Sequence, residues 1–523
     1  MKRAIKMAAA LLSAATMCGT MLLNFPENSF VLSAFSADSG VAINEDNFPD
    51  EIFREYVKSF DTSGDNILSD EETAKVKSID VSERDITSLK GIEYFTELTS
   101  LMCSKNQITD LDVSNNSALM YLDCDTNQLS NLDLSNNTAL DTLYCNYNQL
   151  TSLDLSNNFA LTELFCGGNQ LTSLDVSNNP ALTSLGCVGN QLTSLDVSNN
   201  PDLTFLNCLS TQISSLDLSS NSALATLYCG LNQLTDLDLR NNTALTRLSC
   251  ENNQLTSLDL SNNSALTFID CGDNLLSSLD LSNNSVLKEF HCYNNKLTSL
   301  DISNNFALTH LFCNNNQLSS LDLSNNSALT YINCGDNLLS SLDVSNNSVL
   351  KGLYCYNNKL SSLDLSQNKD LAFLENLSNA YEISIDKDTY DLSELPGGFD
   401  VSKTSNWTNA TVNDNILTII DKSEPVTYDY DTGYTGDNTD YKKNTFTLNF
   451  KNTSALLGDV NGDGILNSVD ASAILTYYAI LMTEQTPTMK FDTSVADYNG
   501  DGIINAIDAS AILTYYANSM TSK

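Results

Sequence analysis

The stretch Leu182-Thr-Ser-Leu-Gly-Cys187-Val-Gly-Asn190-Gln-Leu-Thr-Ser-Leu-Asp196-Val-Ser-Asn-Asn200 decides the fold, because close copies of it fill the middle of the chain. A cysteine recurs every 21 residues from Cys103 to Cys355. Each unit supplies one short run of alternating apolar residues, which cannot bury its apolar face alone. Stacked neighbours complete the core, so the repeat predicts a solenoid of thirteen parallel strands, one for each cysteine.

Each unit contains the phrase L-x-x-L-x-L-x-x-N twice, and this pattern resembles the bacterial leucine-rich repeat in a 21-residue variety. The resemblance covers residues 76–379 and implies a leucine-rich-repeat β-solenoid at the centre of a modular protein. Asn376 occupies the next cysteine register, so the array fades there. Buried amides need partners, and we therefore expect asparagines such as Asn127 and Asn148 to bond the turns of adjacent coils.

The cysteines of the array are odd in number, share one inward register and form no C-x-x-C spacing. In-register strands also place their Cβ atoms side by side, which suits a disulfide poorly. We therefore predict a buried column of free thiols that pack as small apolar residues. Oxidation of stacked neighbours, or binding of a soft metal, is the alternative.

In the half of each repeat that contains the cysteine, the outward strand positions vary from unit to unit, whereas the buried positions do not. Variable outward positions are where a solenoid would bind a ligand. Aromatic residues at these positions can anchor a protein or stack on sugar rings. The alternative is that Tyr and Phe simply favour strands. The candidate partner-binding residues are Tyr144, Phe165, Tyr228, Phe312 and Tyr354.

A column of aspartates, from Asp112 to Asp364, occupies one position of the other half of the repeat. Like charges stacked at strand spacing would attract cations. Alternatively, each carboxylate accepts hydrogen bonds from turn amides or hydroxyls of the next coil. The repeat family has this aspartate as a frame residue, which favours the second interpretation.

Two twelve-residue loops near the C-terminus have the spacing of calcium ligands, with a glycine for the sharp turn and a carbonyl at the seventh position. The loops begin 38 residues apart, and each is followed by an apolar segment. The predicted ligands are Asp459, Asn461, Asp463, Ile465, Asn467 and Asp470 in the first loop, and Asp497, Asn499, Asp501, Ile503, Asn505 and Asp508 in the second. We expect two calcium ions, one in each loop.

This tandem, over residues 456–523, resembles a type I dockerin, an all-α calcium-binding module that docks to cohesin domains of a scaffold protein. The resemblance implies that loop positions 10 and 11 and the following helix contact the cohesin. Those residues are Ser468, Val469, Leu475 and Thr476 in the first half, and Ala506, Ile507, Leu513 and Thr514 in the second. Because the halves are alike, we expect binding in either of two orientations.

A third loop precedes the repeats and resembles the EF-hand-like cap of bacterial leucine-rich-repeat proteins, over residues 38–75. Its predicted calcium ligands are Asp61, Ser63, Asp65, Ile67, Ser69 and Glu72, with Asn66 in place of the usual glycine. A cap of two short helices would cover the open edge of the first strand. One further calcium ion in this cap is a weaker expectation.

Residues 380–455 lack the repeat and contain four short alternating stretches with a turn at Pro396-Gly397-Gly398. This pattern predicts a small β-sandwich that closes the far end of the solenoid. We expect Trp407, the sole tryptophan, in its core; a sugar-binding platform is the alternative.

The chain has 65 acidic and 25 basic residues, a net charge of −40, which argues against nucleic acid and anionic membranes as partners. Three basic residues before an apolar run at 7–23 predict a secretory signal over residues 1–37, with a retained anchor as the alternative. No other stretch is long and apolar enough to span a membrane. We therefore expect a secreted, extracellular protein, held at the cell surface in a cellulosome.

No sequence motif of a catalytic centre is present, and we predict a non-catalytic binding protein. The dockerin would attach it to a scaffold cohesin through calcium, and the repeats would bind an unidentified protein or polysaccharide. A glycoside hydrolase component is one alternative, since paired carboxylates in so acidic a chain cannot be judged from sequence. A cell-surface adhesin is the other.

Overall fold

The computed structural model describes residues 40–385, 387–452, 457–461, 466–483, 493 and 495–521. The predicted signal at residues 1–37 lies outside the described residues, as do Asp463 and Ile465 of the first calcium loop. The described chain forms a solenoid, a helical cap before it, a β-module after it and a pair of C-terminal helices.

The solenoid is a single sheet of fifteen parallel strands in chain order. The strands are β3 Ser78–Asp80, β4 Ser100–Met102, β5 Tyr121–Asp123, β6 Thr142–Tyr144, β7 Glu163–Phe165, β8 Ser184–Gly186, β9 Phe205–Asn207, β10 Thr226–Tyr228, β11 Arg247–Ser249, β12 Phe268–Asp270, β13 Glu289–His291, β14 His310–Phe312, β15 Tyr331–Asn333, β16 Gly352–Tyr354 and β17 Phe373–Glu375. The expectation of thirteen strands is corrected, because β3 precedes the first cysteine and β17 follows the last.

Each strand pairs in register with the next, as Leu143 with Leu164. The central residue of each strand points inward, and the first and third residues share the opposite face. Leu143 and Leu164 are fully buried. The β-solenoid that the repeat predicts is therefore confirmed, and every coil places two side chains on the outer face of the sheet.

Two asparagine columns join the coils. Asn127 donates Nδ2–H to the carbonyl of Cys103 on the preceding coil at 3.0 Å, and its Oδ1 accepts from the Ile108 amide at 3.0 Å. The second column, outside the predicted set, contains Asn137, whose Nδ2 donates to Val113 and to Asn116 at 3.0 Å each. The first column thus satisfies backbone groups that strands of three residues leave unpaired. The second adds a bond from the next coil to carbonyls that already accept a turn amide, as Val113 does from Asn116 at 2.9 Å.

All thirteen cysteines of the array are buried and unpaired by disulfides. Burial raises the pKa of the Cys166 thiol to about 12. A thiol held neutral in this way is a poor nucleophile and a poor metal ligand. The predicted column of free thiols is therefore confirmed.

The aspartate column fixes turns within single coils. Oδ1 of Asp154 accepts from the backbone amide of Ser156 at 2.9 Å, and the same bond recurs along the array, as in Asp196 with Ser198. These bonds lower the pKa of Asp154 and Asp196. The expectation that the partners lie on the next coil is wrong, because an aspartate two residues before an amide reaches it within its own turn.

The cap consists of helices α1 Glu51–Val57 and α2 Asp70–Lys75 and a small antiparallel sheet of β1 Gly40–Ala42 with β2 Ile67–Ser69. Its buried Phe48 and Phe53 join the core of the solenoid. The amide of Asp80 on β3 donates to the hydroxyl of Tyr56 at 3.2 Å. The cap therefore covers the first strand edge of the solenoid.

The module after the solenoid has two sheets. One orders its strands as β18 Ala380–Ile385, β24 Lys443–Asn452, β23 Val426–Asp431 and β20 Thr404–Thr408; the other as β19 Thr389–Asp391, β22 Ile416–Ile419 and β21 Ala410–Asn413. Trp407 stacks on buried Tyr428 with ring centroids 4.3 Å apart, which supports its predicted place in the core.

Tyrosine hydroxyls attach this module to the last coils of the solenoid. Tyr428 donates to the carbonyl of Ser361 at 2.6 Å, and Tyr434 donates to that of Leu371 at 2.8 Å. The module and the solenoid share one apolar core. The module thus closes the far end of the array, as the sequence predicts.

Two helices, α3 Ser468–Leu481 and α4 Ala506–Thr521, pack together at the C-terminus. Equivalent residues of the two halves form their core, since Ala471 matches Ala509 and Ile474 matches Ile512, all four almost fully buried. None of the described helices is long and apolar enough to cross a membrane.

Candidate functional site

Five rings form a continuous band on the outer face of the sheet, which we call the aromatic stripe. Its members are Tyr121, Tyr144, Phe165, Phe205 and Tyr228. Successive ring centroids lie 5.3 to 6.0 Å apart, and the rings are tilted or edge-to-face. Such contacts stabilise a ring cluster while each member stays half-buried. The stripe therefore presents an apolar surface across six coils, from β5 to β10.

A glycine allows the stripe to cross β8. Gly186 occupies the third position of that strand, and a Cβ atom there would lie 2.6 Å from Cδ1 of Phe165. The ring of Phe165 leans into this space and reaches Phe205, two coils away, at 6.0 Å. Any side chain at residue 186 would separate the two parts of the stripe.

Charged groups bond two rings of the stripe, Tyr144 near one end and Tyr228 at the other. The hydroxyl of Tyr144 donates to Oε2 of Glu163 at 2.7 Å. Burial and this bond raise the pKa of Tyr144 above its ordinary value. At the other end, Nε of Arg247 donates to the Tyr228 hydroxyl at 3.1 Å, and its guanidinium lies 4.4 Å from the ring centroid of Phe268. The surface thus combines aromatic rings with carboxylates (Glu163 and, on β5, Asp123) and one guanidinium, a composition found in protein-binding sites.

The remaining predicted aromatics lie further along the same face. Phe312 contacts His291 at a centroid distance of 4.7 Å, and His291 Nδ1 lies 3.3 Å from Oδ2 of Asp270. Tyr354 is half-buried on β16. The structure therefore brings Tyr144, Phe165 and Tyr228 together but places Phe312 and Tyr354 outside the stripe.

The five predicted partner-binding residues of the repeats do not include three members of this surface. Tyr121 and Phe205 occupy the first strand position, and Arg247 is a rare cation on this face. The sequence did contain one signal: Gly186 is a glycine at the third strand position, between Phe165 and Asn207 on the neighbouring coils, and it leaves room for the ring of Phe165.

Tyr147 is a further exposed tyrosine, but it lies outside the stripe. It is 65% exposed and has a φ of 52°, in the left-handed region where a bulky residue is strained.

The second dockerin-like loop is curled around its first carboxylate. Oδ1 of Asp497 accepts from the amides of Gly500 and Asp501 at 2.8 and 3.1 Å, and its Oδ2 accepts from Gly502 at 2.7 Å. Gly502 has a φ of 84°, which permits the turn. The last carboxylate, Asp508, accepts from Asn499 at 3.1 Å and Asn505 at 2.9 Å. The first and last predicted ligands are therefore held on one loop.

The described part of the first loop repeats these relationships. Oδ2 of Asp470 accepts from the amide of Asn467 at 2.9 Å, as Asp508 does from Asn505. Oδ1 of Asn467 accepts from Val469 at 2.7 Å and caps α3. Asp459 and Asp470 are buried in the structure. A pair of carboxylates held in this way fits the oxygen-rich environment that calcium requires.

The predicted cohesin-contact residues are all exposed on α3, α4 and the loops before them. Val469 and Ile507 occupy matching positions and are 58% and 61% exposed. Leu475 and Leu513 match in the same way, at 42% each. The two halves therefore expose equivalent apolar side chains, an arrangement expected of a binding surface.

The loop of the N-terminal cap has its last carboxylate fully bonded. Oε1 of Glu72 accepts from the amides of Thr62 and Ser63 at 2.7 and 3.0 Å, and Oε2 from that of Ser69 at 3.0 Å. These bonds, with that of Ser69 the largest cause, lower the pKa of Glu72 to about 2. Asn66 has a φ of 64° and takes the turn conformation expected of glycine.

The described residues contain no cluster of three or more His, Cys, Asp or Glu side chains arranged as a metal site. The predicted calcium loops also rely on amide and carbonyl oxygens, and two of the predicted ligands of the first loop lie outside the described residues. The complete ligand sets therefore remain predictions.

Comparisons with known proteins find relatives of both the solenoid and the C-terminal helix pair. Residues 457–515 match the model of the type I dockerin domain family. The functional domain of InlJ from Listeria monocytogenes, which includes a cysteine ladder, has a similar structure. The TM-score is 0.65 and the identity 32%, and the match covers 79% of this chain and 99% of that domain.

Two further relatives agree with this result. A leucine-rich-repeat protein of Leptospira interrogans has a TM-score of 0.55 at 21% identity, covering 60% of this chain and 91% of that one, which shows the fold alone. Internalin J of Listeria monocytogenes serotype 4b is 38% identical over 73 residues. That match covers 14% of this chain and only 8% of the relative, so the chain spans a small part of that relative's length.

Proposed function

Because the chain belongs to the cysteine-ladder leucine-rich-repeat family of internalin J and ends in a type I dockerin, we propose that it is a scaffold-docked binding protein. The dockerin attaches the chain to a cohesin in an assembly of the cellulosome type. The solenoid carries the binding surface for a second partner. The observation that carries this proposal is the presence, in one chain, of a match to the type I dockerin domain at residues 457–515 and a separate, half-exposed aromatic stripe on the solenoid.

The dockerin surface supports attachment in two orientations. Val469 and Leu475 in the first half correspond to Ile507 and Leu513 in the second, with similar exposure. Thr476 and Thr514 repeat even their side-chain bond, each donating to a helix carbonyl at 2.8 Å. A cohesin that recognises one half therefore meets nearly the same surface after a half-turn of the dockerin.

Calcium would fix both dockerin loops. Type I dockerin domains bind calcium in general, and the carboxylates of Asp497 and Asp508 already accept backbone amides that curl the loop. The residues that would hold one ion are Asp497, Asn499, Asp501, Ile503, Asn505 and Asp508, and the equivalent six residues from Asp459 to Asp470 would hold another. The cap loop at Asp61, Ser63, Asp65, Ile67, Ser69 and Glu72 has a similar amide pattern and is a third candidate.

The aromatic stripe is the surface proposed to hold the second partner. Its rings contact one another in tilted or edge-to-face arrangements and form an apolar surface, with Glu163 bonded to Tyr144 and Arg247 bonded to Tyr228. Buried or half-buried Tyr and Arg side chains contribute most of the energy of many protein interfaces. This arrangement favours a protein ligand, and a polysaccharide is the second candidate for the same face.

Two other functions are weaker. The glycoside hydrolase would need two carboxylates facing one cleft, but the aspartates of the array are bonded to the turns of their own coils, as Asp154 is to Ser156. As a cell-surface adhesin, the protein would bind a cell through the same aromatic stripe. Cell binding that persists when the dockerin is blocked by an excess of cohesin would favour the adhesin.

The dockerin proposal is tested by binding of the full chain to immobilised type I cohesins. Chelation of calcium should abolish binding. Val469→Asp or Ile507→Asp alone should leave binding within a few-fold of wild type, because the other half remains, while the double variant should lose it. Loss of binding in one single variant would reject the two orientations but not the docking function. Failure of the wild-type chain to bind any cohesin would reject docking.

The solenoid proposal is tested with the full chain held on a cohesin support. Extracellular proteins from the same habitat and insoluble plant polysaccharides are passed over it in separate experiments. Retention of one protein that is lost in a Tyr144→Ala, Phe165→Ala double variant would support a protein partner. A matched control is Tyr147→Ala, an exposed tyrosine outside the stripe. Retention unaffected by the double variant would reject the stripe as the site.

A further inference from the structure

A segment of the solenoid is duplicated with a period of three coils. Residues 271–288 and 334–351 agree at 17 of 18 positions, with Leu281 replaced by Val344. The comparison of 271–288 with the adjacent coil at 292–309 gives only 10 of 18. Residues 292–297 and 355–360 are identical at all six positions. The similarity extends to outward positions that differ elsewhere in the array, so more than the frame is repeated.

Each copy holds a tyrosine flat against a glycine. A Cβ atom at Gly272 would lie 2.4 Å from Cζ of Tyr293 and 2.6 and 2.7 Å from its two Cε atoms. At Gly335 the corresponding distances to Tyr356 are 2.5, 2.6 and 2.8 Å. Three adjacent ring atoms at nearly equal distance mean that the glycine faces the plane of the ring. Both tyrosines are half-exposed. Because one face of each ring lies on a glycine, the opposite face is the one left for a ligand.

This geometry differs from that of the aromatic stripe. A Cβ atom at Gly186 would lie 2.6 Å from Cδ1 of Phe165 but 3.5 Å from Cγ, which is contact with a ring edge. Phe165 therefore contacts its glycine through a ring edge, whereas Tyr293 and Tyr356 contact theirs through a ring face. A flat exposed aromatic face is suited to stacking against the apolar face of a sugar ring.

An amide–carboxylate pair accompanies each tyrosine. Asn294 donates Nδ2–H to Oδ1 of Asp273 at 2.7 Å, and Asn357 donates to Oδ1 of Asp336 at 2.8 Å. Each pair is adjacent in sequence to the glycine and the tyrosine of its own copy. In the first copy, Oδ1 of Asn294 also accepts from Nδ2 of Asn315 at 2.7 Å. Both pairs still have donor and acceptor positions that these bonds do not use. They can therefore also bond the hydroxyls of a ligand.

The charge around these tyrosines selects against anions. Burial, followed by the carboxylates of Asp270, Asp273 and Glu251, raises the pKa of Tyr293 to about 12. Burial and then Asp336 raise the pKa of Tyr356. A negative local potential repels anionic polymers and leaves neutral, hydroxyl-rich ligands.

We propose that Gly272–Tyr293 and Gly335–Tyr356 are two equivalent sites that bind two positions of one neutral polysaccharide chain. The sites are three strand spacings apart, or ~14 Å at ~4.8 Å for each strand. A ligand with a repeated unit can occupy both sites at once, and the second contact then forms at a high effective concentration. This function is separate from docking and from the aromatic stripe.

The test uses the full chain with soluble neutral plant polysaccharides, a mixed-linkage β-glucan and a galactomannan, in affinity electrophoresis. The variants Tyr293→Ala and Tyr356→Ala should each weaken binding of the polymer by about 10-fold to 100-fold, because avidity from two sites is lost. The double variant should not bind. The conservative variants Tyr293→Phe and Tyr356→Phe, which keep the ring face, should retain most of the affinity.

A second pair of variants tests the geometry without removing a tyrosine. Gly272→Ala and Gly335→Ala place a methyl group where the ring lies and should weaken binding as the alanine variants do. Tyr147→Ala is the matched control and should bind like wild type. A thermal unfolding curve for each variant separates loss of binding from loss of fold.

Several results would overturn the proposal. These are no binding of either neutral polymer to the wild-type chain, equal binding by the double variant, or tyrosine-dependent binding of polygalacturonate or polylysine in place of the neutral polymers. A dependence on Tyr293 for retention of a protein would identify a peptide ligand and would also overturn it. Stripe variants that bind the polysaccharide normally but lose a protein partner would show that the two surfaces act independently.

Discussion

The hydroxyl of Tyr144 on β6 donates a hydrogen bond to Oε2 of Glu163 on β7, at 2.7 Å. Tyr144 is the third residue of β6 and Glu163 is the first residue of β7, and both face outward. The bond fixes the ring of Tyr144 between those of Tyr121 and Phe165. A polar contact between coils therefore orients an apolar surface.

Removal of this hydroxyl should lower the stability of the folded protein and leave the ring of Tyr144 less firmly oriented in the stripe. Tyr144→Phe is expected to lower the free energy of unfolding by about 0.5–1.5 kcal/mol, since the bond to Glu163 is only partly shielded from water. Urea denaturation measures the difference. The control is Tyr147→Phe, whose hydroxyl has no hydrogen-bond partner among the described residues, and it should change the free energy by less. Equal effects in the two variants would contradict the role given to Glu163.

The second asparagine column should be more important for stability than the exposed asparagines beside it. Asn158 is fully buried and donates to the carbonyls of Leu134 and Asn137 at 3.2 and 2.9 Å. Asn158→Ala removes both of these bonds between coils, and each carbonyl keeps one backbone donor. At about 0.5–1.5 kcal/mol for each bond, we expect a loss of about 1–3 kcal/mol. Its neighbour Asn157 makes one exposed bond to Ser135 at 3.2 Å. Asn157→Ala should cost less than about 0.5 kcal/mol in the same denaturation experiment.

The cysteines of the array should not react with thiol reagents in the native state. All thirteen thiols are buried, and burial raises the pKa of each one, that of Cys166 to about 12. Native protein should take up no iodoacetamide at these positions at neutral pH, and denatured protein should take up thirteen equivalents in the array without prior reduction. Mass spectrometry counts the adducts. A deficit that a reducing agent restores would mean that neighbouring coils form disulfides.

The N-terminal cap should lose stability in acid. The pKa of Glu72 falls from its ordinary 4.5 to about 2 in the folded cap, mainly through the Ser69 amide. Its contribution is therefore complete above pH 4.5 and is lost as the pH falls toward 2. Hydrogen exchange of α1 and α2 measures the local stability across this range.

The variant Glu72→Gln isolates this effect. It should exchange faster than wild type at pH 7, and the difference should shrink as the pH falls below 4.5. Glu71→Gln, on the same helix, removes a carboxylate whose partner is the exposed Lys75 and serves as the control. A pH-independent difference between Glu72→Gln and wild type would show that its effect comes from packing.

The sequence specified the solenoid well because its cysteine register, its leucines and its asparagines repeat without a shift. Cys103 to Cys355 locate every strand from β4 to β16, and the internalin J domain confirms the fold. The ends were harder to predict, since β3 and β17 lack the cysteine. The aspartate partners were misplaced because sequence order does not say whether Ser156 reaches Asp154 from the same coil or the next.

The sites followed less directly from the sequence. Register placed Tyr144, Phe165 and Tyr228 on one face, but the stripe depends on ring tilt, which Gly186 permits. The stripe also alternates between the first and third strand positions, so Tyr121 and Phe205 do not share a column with the others. Phe312 and Tyr354 share that column and yet lie apart, because contact between rings depends on the neighbours as well as on the register.

The in-register stacking of β3 to β17 has an evolutionary consequence. Near-identical units of 21 residues imply near-identical stretches of coding DNA, which can misalign during recombination. An unequal exchange would add or remove whole coils and leave the cap and the β-module untouched. The protein would then change its reach in increments of ~4.8 Å. The copied segment at residues 271–288 and 334–351 has the form that such an exchange would produce, and it repeats the proposed sugar-binding site.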